Sequence, residues 1–327
     1  MRSEILDLLS GKKIDSQPAF SGLIHVTAEG LSSEGLVFHE THNDPIKMAK
    51  AAASTYKLSG LPSAVAPLDL YVEAEALGAE INFRKDREFE FPQVKHAGLF
   101  GSVKEITKET IKVLNKGRIK LVCDAIKLLK EDVGNDVVVG GMIPGPYTLL
   151  LLIVEIKKMF IEMSREPQAV TAALFHLSSY LAQVGTAYRS AGADFITIHD
   201  MGGSPAFIGP AKYEKFVLPA EKLLIEKLPR PRVLSVCGNV TSSLHLLTQA
   251  GADAISLDQT VDLAAARLAL KDTLLFGNLD PVETLYRGDS TQVAEAVVRA
   301  KEAGMDAIWP GCDLVIQTPV KNIQEMT

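Results

Sequence analysis

The chain has few cysteines, few aromatic residues and no excess of basic charge. Only 3 of its 327 residues are cysteine, and Phe, Trp and Tyr together make up 6%. Three scattered cysteines are too few for the disulfide framework of a small secreted domain, so we expect reduced thiols. The formal net charge is −6. Because nucleic-acid binding needs clustered Lys and Arg, we expect no nucleic-acid partner.

A long hydrophobic run is missing as well. The most apolar stretch, residues 147–156 (YTLLLLIVEI), is far shorter than the roughly 20 apolar residues of a membrane span. We interpret it as a buried helix and expect no membrane association. The opening sequence MRSEILDLLSGKKID has the charge-interrupted pattern of a short amphipathic helix rather than that of a secretion signal. We therefore expect a cytoplasmic protein.

Eight short apolar runs alternate with helical patterns along the chain. The runs end in Gly, Pro, Asp or Asn, which is typical of βα units around a parallel sheet. The predicted strands are residues 18–22, 63–67, 136–142, 194–199, 232–237, 252–257, 273–277 and 306–310. The predicted helices between them include residues 167–191, 210–227, 242–250, 263–270 and 291–303. Eight units predict a TIM (β/α)8 barrel, an α/β fold, as one domain over residues 1–327.

Some segments are additional to a minimal barrel. We expect the N-terminal helix and inserted helices within residues 102–133 to cover the barrel, the latter over its end. A charged run within residues 82–96 has the pattern of a hairpin or flap. After the eighth strand the sequence stops at residue 327, so we expect the C-terminal helix to be truncated.

In such a barrel the chemistry lies on the loops that leave the carboxyl ends of the strands. Cys237 and Cys312 follow the fifth and eighth predicted strands. Thiolates that converge from different strands suit zinc, which in catalytic sites keeps one position open for substrate. The alternative is that each cysteine is a small buried hydrophobic residue.

Two histidines also occupy informative positions. His199 ends the fourth predicted strand beside Asp200, which makes it the best candidate for a nitrogen ligand or general base. The alternative is a strand-end histidine bonded to a loop carbonyl. His42 precedes a predicted helix and either belongs to its first turn or reaches a ligand over the barrel mouth. No Walker loop, GxSxG elbow or HExxH motif is present in the sequence.

Six sequence segments together carry a resemblance to a known family. They are GGMIPGPYTL, HDMGGSP, VLSVCGNVT, SLDQTVDLAAAR, LLFGNLDP and WPGCDLVIQTPVKNIQEM. The chain resembles the uroporphyrinogen decarboxylase superfamily and, within it, the methylcobamide:coenzyme M methyltransferase branch. The resemblance covers nearly the whole chain and implies the same barrel.

The resemblance also implies a chemistry. In that branch zinc binds a small acceptor thiol, such as coenzyme M, and a methylcobamide carried by a corrinoid protein donates the methyl group. The family holds zinc with a His-x-Cys motif and a distant Gly-Cys; Cys237 and Cys312 match, but Ser235 stands where the family has histidine. Three readings follow: His199 supplies the nitrogen, Asp258 supplies an oxygen, or zinc is weak or absent.

The resemblance leads to further expectations for individual residues. We assign catalytic roles to Asp200 and Asp258 and substrate binding to Ser235, Asn278, Thr318 and His42. The alternative activities are transfer in the opposite direction, from a methylated small molecule to a corrinoid protein, uroporphyrinogen decarboxylation, and a catalytically silent barrel that binds a corrinoid or tetrapyrrole. Decarboxylation is disfavoured because Arg2 is the only arginine before Arg84, whereas a tetrapyrrole with many carboxylates needs bidentate cations. We expect a role in methanogenesis or other one-carbon metabolism.

Overall fold

Six parallel strands form the central sheet of the computed structural model, which describes residues 1–96, 98–108 and 116–327. Their order in the sheet follows their order in the chain, as βα units require. The strands are β1 (Ser63–Ala66), β4 (Val138–Pro144), β5 (Phe195–Asp200), β6 (Arg232–Val236), β7 (Ala254–Leu257) and β8 (Leu274–Phe276). Strands β2 (Ile81–Asn82) and β3 (Gln93–Val94) form a separate antiparallel pair, so the hairpin predicted within residues 82–96 is confirmed.

The first and last predicted strands connect the two edges of this sheet. Ala19 forms a parallel bridge with Ile308, and Ala307 forms one with Phe276 of β8. On the other edge the backbone N–H of Ser21 donates to Ser63 Oγ of β1 at 2.9 Å. The eight predicted runs therefore follow one another around a (β/α)8 barrel, in which the first and last strands are reduced to isolated bridges.

Gly22 ends the first of these runs for a steric reason. A Cβ atom at this position would lie 2.3 Å from Thr197 Oγ1 and 2.5 Å from a ring carbon of Trp309. Only glycine fits so close to two side chains.

Helices surround the barrel. Those of the first half are α1 (Arg2–Leu9), α2 (Ala28–Ser33), α3 (Phe38–Thr41), α4 (Pro45–Ser59), α5 (Val72–Leu77), α6 (Val103–Ile106), α7 (Ile119–Asp132), α8 (Pro146–Ile153) and α9 (Ile156–Arg165). Those of the second half are α10 (Pro167–Ala191), α11 (Pro205–Ile208), α12 (Pro210–Lys212), α13 (Leu218–Lys227), α14 (Leu244–Leu247), α15 (Leu263–Ala269), α16 (Ser290–Glu302) and α17 (Val320–Gln324). None of the helices in the described ranges is long and apolar enough to cross a bilayer.

Helix α1 closes the amino-terminal end of the barrel. Its apolar face buries Ile5, Leu8 and Leu9, which pack in one cluster with side chains from the barrel interior. The interior members of this cluster are Phe20, Val138, Phe195, Val233, Ala254, Phe276, Ala307 and Trp309. The opposite, carboxyl-terminal end is thereby left for the functional loops.

The inserted helices take a different position from the one expected. Helix α7 packs against α4, α10, β1 and β4, and its apolar face is buried along the side of the barrel. The expectation that it lies over the barrel's end is therefore wrong, because this face finds its partners in the ordinary helix layer. Residues 109–115 of the same insertion lie outside the described residues.

The main core cluster extends from Ala19 to Met326, and the last helix, α17, has five residues. Asn322 on α17 donates to the backbone oxygens of Leu285 (2.9 Å) and Gly288 (2.8 Å), which ties this helix to the loop before α16. That one domain spans residues 1–327, and that its C-terminal helix is truncated, both stay predictions.

Candidate metal centre

Three metal-ligating side chains from distant parts of the sequence meet at the carboxyl end of the barrel. His199 is the fifth residue of β5, Cys237 directly follows β6, and Cys312 follows the run that bridges to β8. One ligand atom from each lies within 4.8 Å of the others. The two sulfur atoms are 3.8 Å apart. The structure thus brings together the three residues that were predicted to bind metal.

The His199 ring is completely buried and held from one side. Its Nδ1 lies 3.2 Å from the hydroxyl oxygen of Ser235, the residue opposite it on β6. Its Nε2 has no hydrogen-bond partner among the described residues and lies 3.6 Å from Asp313 Oδ2. Asp313 is itself fixed, because the backbone N–H of Ile24 donates to its Oδ1 at 2.8 Å.

Electrostatics favour a charged imidazole in the metal-free centre. Burial alone would lower the pKa of His199, but the nearby Asp313 carboxylate and Cys312 raise it to about 9. Burial raises the pKa of Asp313 to about 6, against the opposing effect of His199. The contact between the two thiols lowers the pKa of Cys312 and raises that of Cys237. A bound cation would replace the protons of this cluster, since metal ligands bind deprotonated.

The donor set and its spacing fit zinc. Two sulfurs bound at 2.3 Å in tetrahedral geometry lie about 3.8 Å apart, and the Sγ atoms of Cys237 and Cys312 are already separated by 3.8 Å. Beside them lies Nε2 of His199, which has no hydrogen-bond partner within the described ranges and can act as a nitrogen ligand. Two thiolates and one imidazole leave a fourth position open, as in catalytic zinc sites.

Asp258 stands next to this centre and ties two loops together. Its Oδ2 accepts from the backbone N–H of Gly238 at 2.8 Å. Its Oδ1 accepts from the N–H (2.9 Å) and hydroxyl (2.6 Å) of Thr260. The loop that carries Cys237 is thereby held against the loop after β7. Asp258 is not a member of the three-residue ligand group, and its catalytic role stays a prediction.

Asp200 lies behind the centre rather than in it. Side chains alternate along a strand, so Asp200 points away from the interior that His199 faces. Its Oδ1 accepts from the N–H (3.3 Å) and hydroxyl (2.5 Å) of Thr148 and from the N–H of Gly203 (3.0 Å). These bonds hold the start of α8 against the loop after β5. The structure does not bring Asp200 together with the metal ligands, and its predicted catalytic role stays a prediction.

The residues predicted to bind substrate divide into several environments. The Asn278 side chain donates to the backbone oxygens of Asp258 (3.0 Å) and Val261 (3.2 Å). Thr318 is buried, and its hydroxyl has no partner among the described residues. The hydroxyl of Ser235 contacts His199, as described above. Substrate binding by these residues stays a prediction.

His42 belongs to a buried charge cluster at the end of β1. Its Nδ1 lies 2.8 Å from Asp69 Oδ2, and Arg118 donates to the same oxygen at 2.7 Å. The Arg118 Nε also donates to Glu75 at 2.7 Å. The Arg118 guanidinium holds the pKa of Asp69 far below its usual range, although burial acts in the opposite direction. His42 is not part of the metal-ligand group.

A family model described as uroporphyrinogen decarboxylase (URO-D) matches residues 1–327. The chain belongs to the uroporphyrinogen decarboxylase family. Methylcobamide:CoM methyltransferase MtbA of Methanosarcina acetivorans is 32% identical to this family member, with 97% of the chain and 94% of the relative covered. A uroporphyrinogen decarboxylase of Citrifermentans bemidjiense is 28% identical, with 86% of the chain and 83% of the relative covered.

A solved structure of a methyltransferase from Methanosarcina mazei is also similar to this member of the uroporphyrinogen decarboxylase family. It is 27% identical and superposes with a TM-score of 0.93, covering 99% of the chain and 96% of the solved chain. The predicted barrel and the predicted methyltransferase branch are confirmed. The protein is a methyltransferase.

Sequence reasoning missed two acidic residues of this family member. Asp313 directly follows Cys312 in the segment GCDL, so its closeness to the centre could have been inferred from that cysteine. Asp69 lies two residues after the predicted strand 63–67. The rule that functional residues follow the carboxyl ends of the strands therefore applied to it as well. Its pairing with Arg118, 49 positions away, left no signal in the sequence.

Proposed function

We propose that the protein moves a methyl group from a methylcobamide, carried by a corrinoid protein, to a small thiol such as coenzyme M, using zinc bound by His199, Cys237 and Cys312. The observation that carries the proposal is the meeting of these three ligand atoms within 4.8 Å at the barrel mouth. The proposal is supported by the similarity, over 97% of the chain, to MtbA, which is a methylcobamide:CoM methyltransferase.

Zinc at this position would supply a Lewis acid that keeps the acceptor thiol deprotonated at neutral pH, where a free alkyl thiol with a pKa near 8.5 is mostly protonated. The chain's own residues do the remaining work. Cys237 and Cys312 fix two ligand atoms on loops that start from different strands, and Asp258 holds the first of these loops in place. His199 is completely buried and Cys237 is 7% exposed, whereas Cys312 is partly exposed, so two of the three side chains are shielded from bulk water.

The methyl transfer itself is a displacement at carbon. An electron pair of the thiolate sulfur forms the new S–C bond while the Co–C bond breaks, and the bonding electrons remain with cobalt. No proton is transferred in this step once the thiol is deprotonated. Positioning and charge control by the barrel loops therefore account for most of the protein's contribution.

The state of Arg118 argues against decarboxylation of a tetrapyrrole. A substrate with many carboxylates needs free guanidinium groups in its cavity. Arg118 lies at the end of β1, but its donors are already directed to Asp69 (2.7 Å) and Glu75 (2.7 Å), and it is 5% exposed.

We propose, with the methyltransferase function, that the protein works in the cytoplasm.

Zinc analysis and a methyl-transfer assay on matched variants test the proposal. We expect about one zinc per chain in protein purified without chelator. In Cys237→Ala and Cys312→Ala we expect zinc to be lost and the rate of methyl transfer from methylcobalamin to coenzyme M to fall by more than about 100-fold. Loss of a residue that merely supports a metal ligand lowers activity by about 10- to 100-fold, and loss of the ligand itself should lower it further. Cys123→Ala is the control, since that thiol lies on α7 and burial raises its pKa to about 11.

Two results would contradict the proposal. One is that the wild-type protein holds no zinc and that its rate of methyl transfer is the same as that of Cys237→Ala. The other is methyl transfer only in the opposite direction, from a methylated small molecule to a corrinoid protein. Turnover of uroporphyrinogen by the pure protein would favour the decarboxylase instead.

A further inference from the structure

Ser235 and His199 form a buried side-chain pair directly beneath the metal centre. The two residues are opposite each other in the parallel register of β5 and β6. His199 is 0% and Ser235 1% exposed, and the hydroxyl oxygen lies 3.2 Å from the imidazole Nδ1. This contact uses one ring nitrogen and leaves the other for a different partner.

The hydrogen bond at one ring nitrogen affects what the other ring nitrogen can bind. A neutral ring has one N–H and one lone pair, and the hydrogen bond at one nitrogen decides which of the two can bind a metal. Metal-bound histidines nearly always donate their other N–H to an acceptor, which fixes the tautomer and the ring orientation. In the present site Nδ1 lies within hydrogen-bond distance of the serine hydroxyl, which can accept its proton, whereas Nε2 has no hydrogen-bond partner among the described residues.

We propose that Ser235 is a positioning residue for His199, accepting the Nδ1 proton so that Nε2 binds the metal. This inference rests on the proposed function, because it assumes a metal at His199, Cys237 and Cys312. In this arrangement the nitrogen ligand comes from β5, and Ser235, the residue opposite it on the neighbouring strand β6, supports it.

Ser235→Ala and Ser235→Thr separate this role from a purely structural one. Alanine removes the acceptor, and we expect zinc affinity, measured by competition with a chromophoric chelator, to fall by about 10- to 100-fold. Threonine keeps the hydroxyl, and we expect it to restore the affinity to within about 3-fold of wild type, since the acceptor is retained.

Ser256→Ala is the matched control. Ser256 faces Ser235 across the register of β6 and β7, is 1% exposed, and has no partner for its hydroxyl among the described residues. We expect this variant to bind zinc like wild type. Thermal melting of the zinc-free proteins shows whether each variant is folded.

The imidazole nitrogen shifts of the zinc-loaded wild-type protein give a test that does not depend on any variant. A two-bond proton–nitrogen spectrum should show His199 protonated at Nδ1 and metal-bound at Nε2. Zinc bound through Nδ1, or a Ser235→Ala protein that binds zinc as tightly as Ser256→Ala, would overturn the inference and leave the proposed function standing. A wild-type protein that binds no zinc would overturn both.

Discussion

Glu73 is a carboxyl group whose surroundings make the stability of the protein depend on pH. It is completely buried on α5, where Tyr188 donates to one carboxyl oxygen at 3.2 Å and the other has no partner among the described residues. Burial raises its pKa from 4.5 to about 8. Between these pH values the carboxyl group is protonated in the folded protein and ionised in the unfolded chain. The free energy of unfolding is therefore highest below about pH 4.5 and falls as the pH rises to about 8.

Glu73→Gln should remove this dependence, because the amide is neutral at every pH. We expect the variant to gain on the order of 4 kcal/mol relative to wild type between acidic pH and pH 8.5, measured from urea unfolding curves. Glu302→Gln, an exposed change on α16, is the control and should not alter the pH profile. Parallel profiles for wild type and Glu73→Gln would show that folding does not raise the pKa of Glu73.

At the residue scale, the sequence located the three proposed metal ligands better than the side chains that support them. Cys237, Cys312 and His199 could be predicted because each ends a strand of a barrel, and such ends meet at one mouth. The contact of Ser235 with His199 depends on the register between β5 and β6. Register and rotamer are tertiary properties, so the sequence showed that Ser235 is a poor ligand but not that it contacts His199.

Elements were predicted best where the chain carries its own start and stop signals. Helix α10 has the predicted bounds because Pro167 occupies its first turn and Gly192 follows it with φ +118°. The helix predicted over residues 210–227 is instead interrupted by a π-helical turn, Tyr213–Val217, before α13. Pro219 has no N–H to donate to the carbonyl of Lys215, so the regular helical bonding cannot continue through it.

The first and last strands show the limit of the pattern. Their apolar character is that of the other strands, but Pro18 and Pro310 lack N–H donors, and both runs form only isolated bridges. The order of all eight runs could nevertheless be predicted from the sequence, because consecutive βα units are neighbours in a barrel.

Helix α1 provides a test at the scale of an element. Ile5→Ala should create a cavity where the helix packs onto the barrel interior, since Ile5 is 0% exposed in a cluster with Phe20, Phe195 and Trp309. We expect a loss of about 2 to 5 kcal/mol in the free energy of unfolding, measured in urea. Ser3→Ala, an exposed change on the same helix, should alter it by less than about 0.5 kcal/mol. Equal losses in both variants would mean that α1 does not depend on its apolar face.

At the scale of the whole molecule, the metal centre joins parts of the chain that are far apart in sequence. The proposed ligands come from β5, from the loop after β6 and from the loop after the run that bridges to β8, so a bound ion would link strands on both sides of the mouth. Unfolding must separate these strands, and the unfolded chain does not hold the three groups together. Binding to the folded state alone therefore stabilises the entire barrel.

Zinc should accordingly raise the melting temperature of the wild-type protein. At a free zinc concentration of about 100 times Kd the gain is about 2.7 kcal/mol, which corresponds to several degrees in a chain of this size. The shift, measured by calorimetry after chelation and zinc addition, should be absent in Cys312→Ser and retained in Cys123→Ser, whose thiol lies in the helix layer. If Cys312→Ser shows the same shift as wild type, zinc acts elsewhere on the protein, because removing one of the two thiolates must weaken binding at this centre.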